Sequence, residues 1–174
     1  GRTLEKLEEA KKEIATYPGQ VETIQLDIRH AEKVSEMIMY VDEKFGRIDA
    51  LVNNAAGNFI CPAENLSING WKSVIDIVLN GTFYCSSAIG KYWIDRQSKG
   101  VILNMVATYA WNAGAGVIHS AAAKAGVLSM TRTLAVEWGK KYGIRVNAIA
   151  PGPIERTGGA DKLWKAEEAE KRTL

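Results

Sequence analysis

Short runs rich in β-branched and apolar residues alternate along this chain with longer segments of helical periodicity, and that alternation limits what it can fold into. VETIQL at 21–26, the run at 48–52, VILNMV at 101–106 and the run at 144–148 are bounded by turn or polar residues and read as strands. Between them, Val34, Met37, Ile38 and Val41 mark one face of a helix over 31–45 that Gly46 stops. A longer apolar segment over 71–93, with Ser67 as its cap, and an Ala-rich segment over 119–139 predict two more. Thr3 caps a first helix carrying Leu4, Leu7 and Ile14 that ends before Pro18-Gly19, and a last helix is expected over 161–171. Strands joined through helices run parallel, so the expected class is α/β, a parallel sheet with helices on both faces.

Composition narrows the function classes. With 47% hydrophobic and 24% charged residues, the chain suits one domain with a sizeable core. A net charge of +2, mixed along the chain, gives no nucleic-acid footprint. No apolar run approaches the ~18 residues of a membrane span, and no signal peptide is evident, so a cytoplasmic protein is expected. Cys61 and Cys85 lack metal-ligand spacing and read as free thiols. His30 and His119 have no second ligand or carboxylate at a recognisable spacing, and no metal is expected.

The densest chemistry lies in TYAWNAGAGVIHSAAAKAGVLSM, residues 108–130. Ser120 and Lys124 stand four apart, on one face of a helix. Tyr109 precedes them across a loop carrying Gly114 and Gly116, just after the strand at 101–106. A phenol at a strand end and a lysine on the next helix can meet over one pocket, because open α/β sheets hold ligands at the carboxyl ends of their strands.

NNAAG after a strand, Asn80 inside the long helix, Lys124 at the start of the next and PGPI after a later strand, in that order, resemble the short-chain dehydrogenase/reductase family over essentially the whole chain. NNAAGNF, TYAW and SAAAK are most similar to its 2,4-dienoyl-CoA reductases, the bacterial ones in particular. The resemblance implies a Rossmann-type doubly wound sheet in a single dinucleotide-binding domain over 1–174, incomplete at both ends. The family's first strand with its Gly-rich turn, and its last strand, are expected to be absent. It also implies NADP(H), an acyl-CoA substrate, a place in unsaturated fatty-acid degradation, and a homotetramer. An apolar segment at 71–93 that one sheet face cannot cover agrees with an oligomer.

Most family members carry Tyr-x-x-x-Lys with a partner serine thirteen residues before the tyrosine. Here Ser120 stands in the tyrosine position and Ala107 in the serine position, which disfavours a plain alcohol dehydrogenase. The resemblance moves the phenol to Tyr109, paired with the amide of Asn58, and both are expected to hold the oxygen of the dienolate that forms when hydride enters a conjugated thioester. Packing beside Trp111 and a local turn are the ordinary alternatives for these two residues. Lys124 is expected to bind the nicotinamide ribose, Ser120 to orient it, and Asn80 to support it. For the cofactor the resemblance implies Arg2 at the ribose 2′-phosphate, Asp27 at the adenine, Asn53 along the strand end, Pro151, Gly152, Pro153 and Ile154 at the carboxamide, and Thr157 at a phosphate. Arg29, Phe59, Ser67 and Lys162 fall where acyl-CoA is held. Competing expectations are a reductase of another carbonyl or enoyl substrate and a catalytically idle dinucleotide-binding module. A Ser-Lys hydrolase lacks the G-x-S-x-G elbow.

Overall fold

The computed structural model describes residues 1–151. Helices α1 (Leu4–Ile14) and α2 (Ala31–Phe45) precede strand β1 (Ala50–Asn53). Helices α3 (Ile68–Ile75) and α4 (Gly81–Asp95) lead to β2 (Val101–Met105), and α5 (Ile118–Tyr142) leads to β3 (Arg145–Ile149). The three strands form a parallel sheet in the order β1-β2-β3, with Leu51 opposite Ile102 and Ile102 opposite Val146.

Each crossover steps the same way along the sheet, and right-handed crossovers then put their helices on one face. Accordingly α4 packs on β1, α5 on β2 and β3, and α2 and α5 each contact α4. Strand periodicity follows: Ile102 and Val146 point into this helix layer at 0% and 5% exposure, while Val52 and Ile149 on the other face are 54% and 45% exposed. Among the described residues the sheet is thus layered on one side, where the sequence led us to expect two.

Two apolar clusters fill the layer. Ile38, Ile89, Trp93, Ile102, Ile144 and Val146 form one, and Val74, Val78, Val106, Ala123 and Val127 form the other, nearer the strand ends. Helix α2 has the expected bounds, and α5 runs on to Gly143, whose left-handed φ of 70° ends it in the usual glycine C-cap.

Two local expectations need correction. Residues 21–26 are not a strand: Leu26 N–H donates to the Gly1 carbonyl and the Gly1 ammonium to the Ile24 carbonyl, but Gly1 and Arg2 are too short an edge to build a ladder. The segment expected as one helix over 71–93 starts at Ile68 on a Ser67 cap and widens into a π-helical turn over Asp76–Asn80 before α4 continues it. At that turn the Asn80 amide donates to Asp76 at 2.9 Å, so the polar pair in an apolar helix satisfies itself. No helix among the described residues is long and apolar enough to cross a membrane.

Candidate active site

The loops that follow β1, β2 and β3 all leave the carboxyl edge of the sheet, as the parallel register requires. The loop after β1 carries Asn58 and Phe59, the one after β2 carries Tyr109 in a single 3-10 turn over Thr108–Ala110, and Pro151 follows β3. Gly116, at φ 69°, lets the second loop close on the first: its carbonyl accepts from Cys61 N–H at 2.9 Å, and any Cβ on it would lie 2.8 Å from Ile60.

Tyr109 meets Ser120, whereas the phenol was expected to meet Lys124 and Ser120 to orient that lysine; no hydrogen bond joins Lys124 to either residue. The Tyr109 hydroxyl lies 3.1 Å from Ser120 Oγ, and Ser120 is 1% exposed. Lys124, 8% exposed, donates from Nζ to the Met105 carbonyl at 2.5 Å. Burial lowers its pKa to about 8, so it stays largely protonated at neutral pH. That carbonyl accepts one of the three N–H donors of an ammonium, and two are left for the hydroxyls of a ribose-bearing ligand. The lysine therefore suits a ribose-bearing cofactor.

Asn58 accepts the N–H of Phe59 on its own Oδ1 at 2.9 Å, and its NH₂ makes no hydrogen bond among the described residues. The turn role and the donor role are thus compatible. Asn80 bonds Asp76, and no hydrogen bond joins it to Lys124. Asn53 turns its side chain into the helix layer, donating to Ser86 Oγ at 3.0 Å and Asn104 Oδ1 at 2.8 Å, which leaves its backbone for any ligand along the strand end.

Asp27 is held by Arg29, with Nη2 to Oδ2 at 2.6 Å, and its pKa falls to about 2 chiefly through that contact, with a smaller contribution from the charge of Arg2. Arg2, Asp27 and Arg29 thus lie close to one another. Beside them Ile28 packs on Gly81, where a Cβ would meet it at 2.5 Å. Phe59 packs edge-on against His119 with ring centroids 4.5 Å apart, and Ser67 is spent on capping α3 by accepting Gly70 N–H at 3.0 Å. Gly152, Pro153, Ile154, Thr157, Lys162 and the helix expected over 161–171 lie outside the described residues. No group of three or more potential metal ligands occurs among the described residues.

His119, which has no partner at a recognisable spacing in the sequence, is fully buried, and neither ring nitrogen has a hydrogen-bond partner among the described residues. Burial pushes its pKa below 6.5, and the nearby Phe59 backbone offsets this only partly. Below pH 6.5 the unfolded chain takes up a proton that the folded ring resists, so this residue makes stability fall as the pH drops. His119→Phe, which removes the unpartnered nitrogens, is expected to raise the thermal midpoint, and to raise it more at pH 5.5 than at pH 8. An equal effect at both pH values would contradict this assignment.

Whole-chain comparisons assign the fold to a family. A family model described as short chain dehydrogenase matches residues 1–168. The chain belongs to the short chain dehydrogenase family. It is 68% identical over 174 residues to a Bacillus subtilis (strain 168) protein named "Probable 2,4-dienoyl-CoA reductase [(2E)-enoyl-CoA-producing]", covering all of this chain and 68% of that protein. It is 42% identical over 163 residues to the Danio rerio "Peroxisomal 2,4-dienoyl-CoA reductase [(3E)-enoyl-CoA-producing]", covering 93% of this chain and 54% of that one. The chain therefore spans about half to two-thirds of the length of these relatives. Among solved structures, a short chain dehydrogenase from Bacillus anthracis str. 'Ames Ancestor' superposes with TM-score 0.87 at 76% identity, over 90% of this chain and 65% of the other. ElxO with NADP bound superposes with TM-score 0.85 at 28% identity, over 97% and 67%. The short-chain fold follows for this chain.

Proposed function

We propose that this chain carries the catalytic centre of an NADPH-dependent 2,4-dienoyl-CoA reductase of unsaturated fatty-acid degradation. The observation that carries the reading is the phenol at 109 bonded to the serine that replaces the family's usual tyrosine, beside a buried lysine. The names of the relatives support the substrate class, and the NADP bound to ElxO supports the cofactor.

Bound NADPH would supply hydride to the far carbon of the conjugated system. Negative charge would then collect on the thioester oxygen, and a proton taken up from solvent at carbon would complete the enoyl product. Tyr109 O–H and Asn58 N–H donate to that oxygen as its charge grows, and such donors are worth most when fixed in advance. Ser120 holds the Tyr109 hydroxyl in line, while the Lys124 ammonium bonds ribose hydroxyls and favours charge build-up nearby. In this reading Arg2 meets the 2′-phosphate, Asp27 the adenine, and Arg29 the CoA moiety, for which cationic partners are needed.

We further infer a cytoplasmic location and, from the family resemblance, a homotetramer; Phe83 on α4 and Val136 on α5, 51% and 81% exposed, offer apolar groups to a partner subunit. The test is a panel in the intact protein: NADPH oxidation with a 2,4-dienoyl-CoA, a saturated acyl-CoA and simple ketones. Turnover with the dienoyl thioester alone is expected. Ketone reduction without dienoyl turnover would point to another carbonyl substrate, and cofactor binding without any turnover to an idle module.

A further inference from the structure

Beneath the site, four side chains form a polar relay across the helix layer. Asn53 on β1 donates to Ser86 Oγ on α4 and to Asn104 Oδ1 on β2. Asn104 in turn donates to Thr131 Oγ1 on α5 at 2.8 Å, and Thr131 donates to the Val127 carbonyl of its own helix at 2.7 Å. Ser86, Asn104 and Thr131 are 0%, 0% and 5% exposed. Met105, the next residue after Asn104, turns its carbonyl to Lys124.

Consecutive residues of β2 therefore grip α5 at Lys124 and at Thr131, seven positions or roughly 10 Å apart along the axis. His119, Ser120, Ala123, Lys124, Val127 and Thr131 are the buried residues of α5, and this grip fixes that face of the helix at two points. An ammonium on a flexible four-carbon stem is poorly placed by one hydrogen bond, because the stem has many rotamers to lose. A second fixed point two turns along removes sliding and rotation of the helix that carries it. Stability alone does not call for this relay: Thr131 already bonds its own helix, and an apolar pair of the same shape would close the layer at little or no net loss.

We propose that Asn104 and Thr131 are positioning residues that set the register of α5 on β2 and thereby fix where Lys124 presents its ammonium group. The proposal rests on the role given above to Lys124.

The experiment compares Thr131→Val, which keeps the shape and removes the hydroxyl, with Thr131→Ser, which keeps the hydroxyl. Each is made in the wild-type and in the Lys124→Met background, and assayed well below its thermal midpoint. Thr131→Val is expected to lower kcat for NADPH oxidation by ~10-fold and Thr131→Ser to recover most of it, whereas on Lys124→Met the valine should cost less than ~2-fold, as coupled sites behave. Equal kcat for the valine and serine variants, or the same fold loss in both backgrounds, would overturn the positioning role. Lys124→Met with wild-type kcat would instead overturn the role of the lysine itself, and the proposal with it.

Discussion

Tyr109→Phe is expected to lower kcat by ~10² to 10³, the usual loss for one oxyanion donor, while cofactor binding stays intact. The substitution removes a hydroxyl and keeps the ring, so the 3-10 turn over Thr108–Ala110 and its packing persist. What is lost is the donor 3.1 Å from Ser120. Ser120 is a poor substitute, because a serine hydroxyl is shorter and far less acidic than a phenol of pKa about 10. Asn58→Ala acts on the same oxygen, so the two losses should not add. Steady-state kcat for the two single variants and the double variant checks this, and a double variant showing the full product of both losses would assign the residues to separate tasks.

The largest effect on stability is expected at Trp93. Its indole is 0% exposed, its Nε1 donates to the Ile48 carbonyl at 2.7 Å, and Gly100 sits against its face so closely that a Cβ would lie 2.1 Å away. Trp93→Ala leaves a cavity and an unpaired carbonyl, and should cost ~3 to 5 kcal/mol. Gly100→Ala drives a methyl group into the same ring and should cost ~1 to 3 kcal/mol. Urea unfolding at neutral pH measures both. A Trp93→Ala variant within ~1 kcal/mol of wild type, the spread of minor substitutions, would mean that this cluster is not the core of the helix layer.

The sequence was most legible where local chemistry and long-range packing agree. Helix α2 combines an apolar face with a terminal glycine, and its bounds could be read directly. Residues 21–26 have strand composition, but a strand exists only with a neighbour to pair with, and composition cannot supply one. The π turn was hidden because it breaks the 3.6-residue period inside an otherwise helical run. In the site, loop length and helix spacing pointed to a meeting of Tyr109 with Lys124, but the phenol's hydrogen bond goes to Ser120, one turn earlier on the same helix. Ser67 caps α3, as its place before the helical run foretold. Asn104 was missed, although an asparagine inside the apolar run VILNMV is a signal in its own right: a buried amide must find partners, and here they come from β1 and α5. His119 gave no such signal, since nothing in its neighbours along the chain foretells a fully buried ring.

The central claim is that the acid-side group has moved from the family's usual position, now Ser120, to Tyr109. It is tested most directly by kcat for NADPH oxidation with a 2,4-dienoyl-CoA in the intact protein, with Tyr109→Phe and Ser120→Ala measured side by side. The account predicts a collapse for Tyr109→Phe and a milder loss for Ser120→Ala, which only releases the phenol from its partner. A phenylalanine variant near wild-type kcat, with the alanine variant collapsing instead, would contradict it.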